Sequence, residues 1–368
     1  MTVPRAISTP DPKSISLARA ARFPGLRALA WAGDVLYASR GYDLLRARIT
    51  DPAHNLQWQA VAKFRPDWKR RLTVTNRFSA RFLRDGFHAL AISPPGAVVA
   101  AVPGAIVTCA PIESEFCVTH RIARGTRPLH ITTVPAGIIY WGEYFDNPSR
   151  DEVHIYASTD AGATWNIAYT FAKGAIRHVH NLVHDPWANC LWILTGDYGD
   201  ECRILRASCD LRQIDTVLQG KQQARAVAAV PTEDGLYFSS DTPLESNFIY
   251  RLDGECRLSQ LAAISSSSIY GCRVGHHLFF STMVEPSEVN RDRDVRIYGG
   301  EISGNWQSLL SWPKDRWPMR LFQYGNAFFP DGDNATPYLA VTTIAVERDD
   351  ITTSLYKVPQ SREWERSS

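Results

Sequence analysis

Arginine and histidine recur at a fixed spacing ahead of several apolar runs of this sequence. When the runs are aligned, arginine occupies one position repeatedly, and a histidine or glutamine often falls three residues later. The residues at this later position include His88, His130, His180 and Gln323. Because imidazole suits Mn, Fe, Ni or Zn, these four side chains are predicted to converge on one divalent metal ion.

The recurrent arginines indicate a second kind of chemistry, the recognition of a carboxylate. A guanidinium group matches a carboxylate with two parallel hydrogen bonds, so several arginines around one mouth would bind an acidic ligand. Carboxylates and tyrosines accompany them in the neighbouring loops. The predicted substrate-binding residues are Arg127, Arg177, Arg225, Arg273, Asp241, Glu285 and Tyr270.

Side chains that could transfer protons lie in the same segments. A general acid or base needs a pKa suited to the working pH, and histidine meets this need most often. The predicted catalytic residues are His178, His180, Glu143, Tyr144 and Asp197. The alternative is structural, because acids also cap backbone amides in turns, and inner histidines and arginines can fill a channel and satisfy carbonyl groups.

The elements that must position these residues repeat along the chain. Runs that open with a large apolar residue begin at positions 58, 116, 165, 214, 258 and 306, with separations of 58, 49, 49, 44 and 48 residues. Such a period, with strand-like content between the runs, predicts an all-β, seven-bladed β-propeller of four-stranded blades. The blades are predicted to start near residues 26, 81, 127, 176, 223, 267 and 320. A spare run at residues 14–23 is predicted to close the ring as the missing outer strand, within a single domain of residues 1–368.

One octapeptide indicates the type of propeller that the sequence resembles. Residues 158–165 read Ser-Thr-Asp-Ala-Gly-Ala-Thr-Trp, in which Asp160 can accept hydrogen bonds from amides of its own turn and Gly162 can supply a positive φ. This spacing resembles the Asp-box of the sialidase-type (BNR-repeat) β-propeller superfamily. The resemblance implies a turn between the two outer strands of a blade, away from the ligand face. The Arg-Ile-Pro motif of true sialidases is absent from the sequence, so the resemblance implies the fold more than the activity.

The predicted function is that of a carbohydrate-active enzyme acting on an acidic glycan at the central channel face, either a glycoside hydrolase or a polyuronate-lyase-like enzyme. Several polyuronate lyases are seven-bladed propellers, and the aligned His and Gln residues resemble the metal ligands of some of them. β-Elimination needs a neutralised carboxylate, a base and an acid, whereas hydrolysis needs two carboxylates. The alternative is a non-catalytic propeller scaffold that binds a glycan or a protein.

The composition limits the partners and the compartment. The 368 residues include 40 Lys and Arg against 38 Asp and Glu, a net charge of +2 that gives no electrostatic case for nucleic acid. Apolar runs of about 18 residues and an apolar signal core are absent, so no membrane partner and a cytoplasmic location are predicted, with leaderless export left open. The 7 scattered cysteines form no Cys-x-x-Cys pair, which fits a reducing compartment. The predicted ligand is a small molecule or a polysaccharide.

Overall fold

Seven sheets form the computed structural model, which describes residues 15–51, 53, 56–67, 70, 79, 81–82, 85–302, 304–319 and 321–359. Each sheet is one blade of a β-propeller, with four antiparallel strands named A to D from the central channel outwards. The predicted all-β, seven-bladed architecture is therefore confirmed. The first strand of the chain, β1 (Ala18–Pro24), belongs to the last blade.

The first four blades follow the chain in order, each running from strand A to strand D. Blade 1 contains β2 (Arg27–Gly33), β3 (Val35–Arg40), β4 (Asp43–Arg48) and β5 (Gln59–Lys63). Blade 2 contains β6 (Leu90–Ile92), β7 (Val98–Val102), β8 (Ala105–Cys109) and β9 (Cys117–Arg121). Blade 3 contains β10 (Thr132–Thr133), β11 (Ile139–Gly142), β12 (Val153–Ser158) and β13 (Asn166–Phe171). Blade 4 contains β14 (Val179–Asp185), β15 (Cys190–Thr195), β16 (Arg203–Ala207) and β17 (Ile214–Gln219).

The remaining blades complete the ring. Blade 5 contains β18 (Ala226–Thr232), β19 (Gly235–Ser240), β20 (Asn247–Leu252) and β21 (Leu258–Ile264). Blade 6 contains β22 (Ser268–Val274), β23 (His277–Thr282), β24 (Asp294–Glu301) and β25 (Gly304–Pro313). Blade 7 contains β26 (Asn326–Phe328), β28 (Tyr338–Ile344), β29 (Thr352–Lys357) and β1. Strand β27 (Asp331–Asn334) pairs parallel with β2 at the inner edge of blade 1.

Apolar packing between neighbouring blades forms the core. The B strands β7 and β15 are buried at every residue, because both of their faces are covered, and they read as continuous apolar runs. Between blades 2 and 3, for example, Val99 and Ala101 pack in one cluster with Trp141. Two short 3-10 turns, Gly199–Glu201 and Gln222–Ala224, lie in the loops. No helix in the described part of the chain is both long and apolar enough to cross a bilayer.

The N-terminal strand closes the ring, as the sequence predicted. Strand β1 pairs antiparallel with β29, from Ala18 opposite Lys357 to Pro24 opposite Thr352. Arg19 and Arg22 donate to the Asp349 carboxylate at 3.0 and 2.6 Å. The observed strand covers residues 18–24 against the predicted 14–23, and position 14 lies outside the described residues. The pairing removes the free outer edge that blade 7 would otherwise expose.

Strand A begins furthest from its predicted start in blades 2 and 7. Strand A of blade 2 begins at Leu90 rather than near 81, and that of blade 7 begins at Asn326 rather than near 320, which lies outside the described residues. Near the predicted start of blade 2, the described residue Arg81 makes its contacts outside the sheet. Arg81 is buried, hydrogen-bonds the Asp315 carboxylate and stacks on Trp317, both of which lie between blades 6 and 7.

The octapeptide forms the C–D turn of blade 3. Asp160 accepts hydrogen bonds from the amide of Thr164 at 2.9 Å and from the Thr164 hydroxyl at 2.6 Å, while Ser158 Oγ accepts from the Gly162 amide at 2.8 Å. Gly162 has φ +88°, and a Cβ there would lie 2.5 Å from Val99 of blade 2. Thr108 of blade 2 also donates to the Gly162 carbonyl at 2.8 Å. The turn therefore joins two blades.

Candidate functional site

Two segments of blade 4 carry the central residues of the site. His178 lies directly before β14 and His180 lies within its start, whereas Asp197 lies in the loop between β15 and β16. In a four-stranded antiparallel blade, the start of strand A and the B–C loop are at the same end. We call this end the B–C face. The topology therefore places both histidines beside Asp197.

His178, His180 and Asp197 form a compact group, called here the His/Asp cluster. The two Nε2 atoms lie 3.1 Å apart. The Asp197 carboxylate oxygens lie 3.5 Å from the Nε2 of His178 and 3.5 Å from the Nε2 of His180. The exposed fractions of His178, His180 and Asp197 are 5%, 3% and 9%. Their ligand atoms all lie within 4.8 Å of one another, a spacing at which they could hold one metal ion.

Backbone carbonyl groups orient both imidazole rings. His178 Nδ1 lies 3.1 Å from the carbonyl oxygen of Phe145, and His180 Nδ1 lies 2.9 Å from that of Ala226. A carbonyl oxygen only accepts hydrogen bonds, so each Nδ1 carries the proton. Both Nε2 atoms consequently point into the cluster.

Two arginines flank the Asp197 carboxylate. Arg177 lies 3.5 Å from one oxygen and pairs with Asp146, while Arg225 lies 3.4 Å from the other oxygen and 3.6 Å from Asp241. Among the described residues, Arg225 Nε and Nη1 and Asp241 Oδ1 are buried without a hydrogen-bond partner. Burial lowers the pKa of Arg225, but the charges of Asp241 and Asp197 raise this pKa by more than burial lowers it. The guanidinium therefore stays charged. These Arg225 and Asp241 atoms could therefore form hydrogen bonds with a ligand.

Burial and the mutual interactions of the cluster shift its pKa values. Burial raises the pKa of Asp197, but the interactions with His178 and His180 outweigh burial and hold that pKa far below its usual range. For His178, burial lowers the pKa more than Asp197 raises it. At neutral pH the cluster therefore combines a carboxylate with a neutral His178 imidazole.

Tyr144 and Glu285 line the opening to the cluster. The Tyr144 ring lies 4.3 Å from the His178 ring, and burial together with the nearby carboxylates raises the Tyr144 pKa to about 12. Burial and the charge of Asp241 raise the pKa of Glu285. Tyr198 is 45% exposed and lies beneath the Arg225 guanidinium, 5.7 Å from it. The mouth is therefore aromatic as well as charged.

A buried network of uncharged side chains supports the mouth. Gln222 Nε2 donates to the Asp197 carbonyl at 3.1 Å, and the Thr242 hydroxyl donates to Gln222 Oε1 at 2.6 Å. Asn247 and Asn290 both donate to the Thr242 carbonyl, at 2.9 and 3.1 Å. The sequence alone does not reveal these residues, because isolated Gln, Thr and Asn residues in loops carry no spacing signal.

Glu143 and Arg273, both predicted as site residues, lie in other contacts. Glu143 is 4% exposed, pairs with Arg124 and accepts the amide of His154 at 2.8 Å, which are structural contacts. Arg273 lies near the end of β22, at the opposite face, and pairs with Glu233 at 2.7 Å. Neither side chain reaches the His/Asp cluster through these contacts.

The predicted ring of His88, His130, His180 and Gln323 does not assemble. Within the described residues, only His178, His180 and Asp197 bring three potential His, Cys, Asp or Glu ligand atoms together. His130 instead lies 3.2 Å from Asp331, beside strand β27 at the inner edge of blade 1. Gln323 Oε1 is buried without a hydrogen-bond partner among the described residues, and the His88 carbonyl accepts from Arg27 at 3.3 Å.

Tyr270 and Arg127 belong to the channel rather than to the cluster. The Tyr270 ring packs 4.8 Å from that of Phe328, and burial raises the Tyr270 pKa to about 12, against the lowering effects of Arg27 and Arg127. Tyr270 and His130 line a cavity of about 1020 Å³ at the inner strands. Of the predicted site residues, the structure thus brings together Tyr144, Arg177, His178, His180, Asp197, Arg225, Asp241 and Glu285.

The charges of the mouth do not balance. Four carboxylates, Asp146, Asp197, Asp241 and Glu285, accompany the guanidinium groups of Arg177 and Arg225. Even when Glu285 is protonated, the carboxylates outnumber the arginines by one. A pocket of this kind attracts a cation more strongly than the carboxylate of an acidic glycan.

The comparisons with known proteins identify the fold. No protein-family model and no curated protein matches the sequence. The structure is similar to a chain in the crystal structure of a mitotic checkpoint complex, with a TM-score of 0.54, 12% identity and coverage of 98% of this chain and 97% of that chain. It is also similar to the WD40 β-propeller domain of Doa1, with a TM-score of 0.55, 9% identity and coverage of 95% and 99%. The shared feature is the β-propeller fold. The sialidase-type superfamily is not confirmed by these similarities.

Proposed function

We propose that the protein is a non-catalytic β-propeller scaffold whose B–C face binds a protein partner through a basic side chain of that partner. The excess of carboxylates over guanidinium groups at the mouth carries the proposal. Asp241 raises the pKa of Glu285, which means that the two carboxylates repel each other, and a cation placed between them would relieve this repulsion. The exposed Tyr198 ring offers a further surface for a cation.

The similarity of fold also supports a scaffold that binds a protein. One propeller of similar fold is a chain of a mitotic checkpoint complex, which is a protein assembly. The proposal extends such a scaffold role to this chain, with the mouth as the place of contact. An alternative ligand for the scaffold is a glycan.

Peptide display tests the proposal directly. Peptides selected from a displayed library on the purified protein are expected to contain Lys or Arg, and their affinity can be measured by fluorescence anisotropy. The double variant Asp241→Asn/Glu285→Gln should bind these peptides at least about tenfold more weakly, a loss of roughly 1.4 kcal/mol. The matched control is Glu245→Gln, an exposed acid of the same loop. Equal affinity of the double variant and the control would contradict the proposal.

The convergence of Tyr144, His178 and Arg225 favours a second candidate, an enzyme acting on acidic glycans. Arg225 could neutralise a uronate carboxylate, the neutral His178 could remove a proton, and Tyr144, protonated at neutral pH, could donate one to the leaving oxygen. A screen of acidic polysaccharides for unsaturated products and new reducing ends tests this candidate. If products form and Tyr144→Phe abolishes them, the enzyme is favoured. If the polysaccharides stay intact, the scaffold is favoured.

A further inference from the structure

The Nε2 atoms of His178 and His180 face each other in the interior of the protein. Each Nδ1 lies within hydrogen-bonding distance of a backbone carbonyl, at 3.1 and 2.9 Å, and donates its proton there. The Nε2 atoms are then the ring nitrogens left to bind a metal ion. They lie 3.1 Å apart inside the protein.

The Asp197 carboxylate adds a third electron-pair donor to the same space. Its oxygens lie 3.5 Å from each Nε2, longer than the roughly 2.7–2.9 Å of a charge-assisted hydrogen bond. Two ligand atoms that are each about 2.1 Å from one ion lie about 3.4 Å apart at the tetrahedral angle. The separations within the His/Asp cluster bracket this value.

We propose that His178 Nε2, His180 Nε2 and the Asp197 carboxylate bind one divalent first-row transition-metal ion, with Zn²⁺ as the reference ion. Two imidazoles with one carboxylate suit such ions, whereas Mg²⁺ and Ca²⁺ prefer oxygen ligands. The hydrogen bonds from both Nδ1 atoms to backbone carbonyls are the outer contacts that fix the tautomer of metal-binding histidines.

The neighbouring arginines do not prevent this binding. Arg177 and Arg225 lie 3.5 and 3.4 Å from the Asp197 carboxylate, but Asp146 and Asp241 pair with them in turn. With Glu285 at the same mouth, the surroundings remain net negative, which favours a bound cation. The metal site and the proposed partner site share Asp197, so a bound metal ion would reduce the negative charge that attracts a basic side chain.

Calorimetric titration of the full chain with Zn²⁺ alone, after EDTA treatment and without an affinity tag, tests the site. We expect one ion per chain, with Mg²⁺ giving no comparable binding. His178→Ala, His180→Ala and Asp197→Asn should each weaken Zn²⁺ binding at least about tenfold. His184→Ala is the matched control, because His184 lies on the same strand β14 outside the cluster, and its affinity should equal that of the wild type.

A measurement on the unaltered protein keeps the test valid if a variant fails to fold. Co²⁺ added to the wild-type chain should give the visible absorption of a low-symmetry site with nitrogen and oxygen ligands, and one equivalent of Zn²⁺ should remove it. A wild type without a saturable Zn²⁺ site, or folded cluster variants with unchanged affinity, would overturn the proposal. Because the peptide experiment is run in EDTA with no added metal, the two proposals can fail separately.

Discussion

At the scale of single residues, the position of Asp197 depends on the glycine that precedes it. Gly196 has φ +114°, and a Cβ at this position would lie 2.4 Å from the Cα of Cys202 and 2.4 Å from the carbonyl oxygen of Glu201. Neither neighbour is a flexible side-chain end, so neither can move away cheaply. The turn that presents Asp197 to the two histidines is therefore available to glycine and closed to larger residues.

Substitution of this glycine should cost both stability and metal affinity. We expect Gly196→Ala to lower the free energy of unfolding by about 1–3 kcal/mol, because the left-handed backbone and the clash must both be relieved. Gly199→Ala is the control, since Gly199 has φ +54° with nothing within 4 Å of a Cβ, and it should lose about 1 kcal/mol. Urea unfolding followed by Zn²⁺ titration gives both quantities. Equal losses in the two variants would argue against the clash.

The sequence could indicate which residue types meet at the mouth but not how they pair. Glu143 and Asp197 align at the same place in neighbouring blades, yet only Asp197 faces the histidines. Glu143 is held by Arg124, which belongs to no aligned position. Side-chain pairing of this kind depends on the geometry between blades, which a single sequence does not express.

At the scale of elements, three consecutive blades use an acidic residue to organise the C–D turn. Asp160 does so in blade 3, and in blade 4 Asp210 accepts from the Ser208 hydroxyl at 2.6 Å. In blade 5, Asp253 accepts the amides of Glu255 and Arg257 at 3.0 and 2.9 Å. Only the first turn has the full octapeptide spacing, so the sequence revealed one member of a structural repeat.

The Asp160 turn should make stability depend on pH in the acidic range. Burial raises the pKa of Asp160, but hydrogen bonds from Thr164 and Ser158 lower it below its ordinary value of 3.8. A depressed pKa in the folded state means that the stabilisation is present above about pH 3.8 and is lost as the pH falls through the folded value. Asp160→Asn should therefore cost roughly 1 kcal/mol at pH 7, and less at lower pH.

Chemical unfolding at neutral and acidic pH checks this expectation. Asp215→Asn serves as the control, because Asp215 is exposed on the outer strand of blade 4. It should unfold like the wild type at every pH. A difference between Asp160→Asn and the wild type that persists unchanged in acid would show that the carboxylate charge is not responsible.

The period of the sequence was sufficient to predict the blades, because every blade needs the same alternation of strands and turns. The predicted starts near 81 and 320 lie furthest before the observed A strands, which begin at Leu90 and Asn326. Near residue 81, Arg81 pairs with Asp315, which is 234 positions away in the sequence, and no local period expresses such a contact.

At the scale of the whole molecule, Arg81 connects the chain between blades 1 and 2 to the junction of blades 6 and 7. Its side chain has no exposed area and lies between the carboxylates of Asp315 and Asp350, which are 8% and 3% exposed. Arg81→Met should lower the free energy of unfolding by about 3–5 kcal/mol, because it removes a buried guanidinium that pairs with both carboxylates.

Differential scanning calorimetry can measure this loss. The matched control is Arg48→Met, which breaks a surface pair with Asp34 whose side chains are 67% and 43% exposed. That change should cost about 0–1 kcal/mol. If the two variants have the same melting temperature, the segment does not contribute to holding the ring together.

The pairing of β1 with β29 also has a consequence for the timing of biosynthesis. Arg19 and Asp349 are 330 positions apart, so the first strand leaves the ribosome long before its partner exists. At about 5–20 residues per second, the interval is roughly 20–70 s. Strand β1 therefore cannot take its place in blade 7 until β29 has been synthesised.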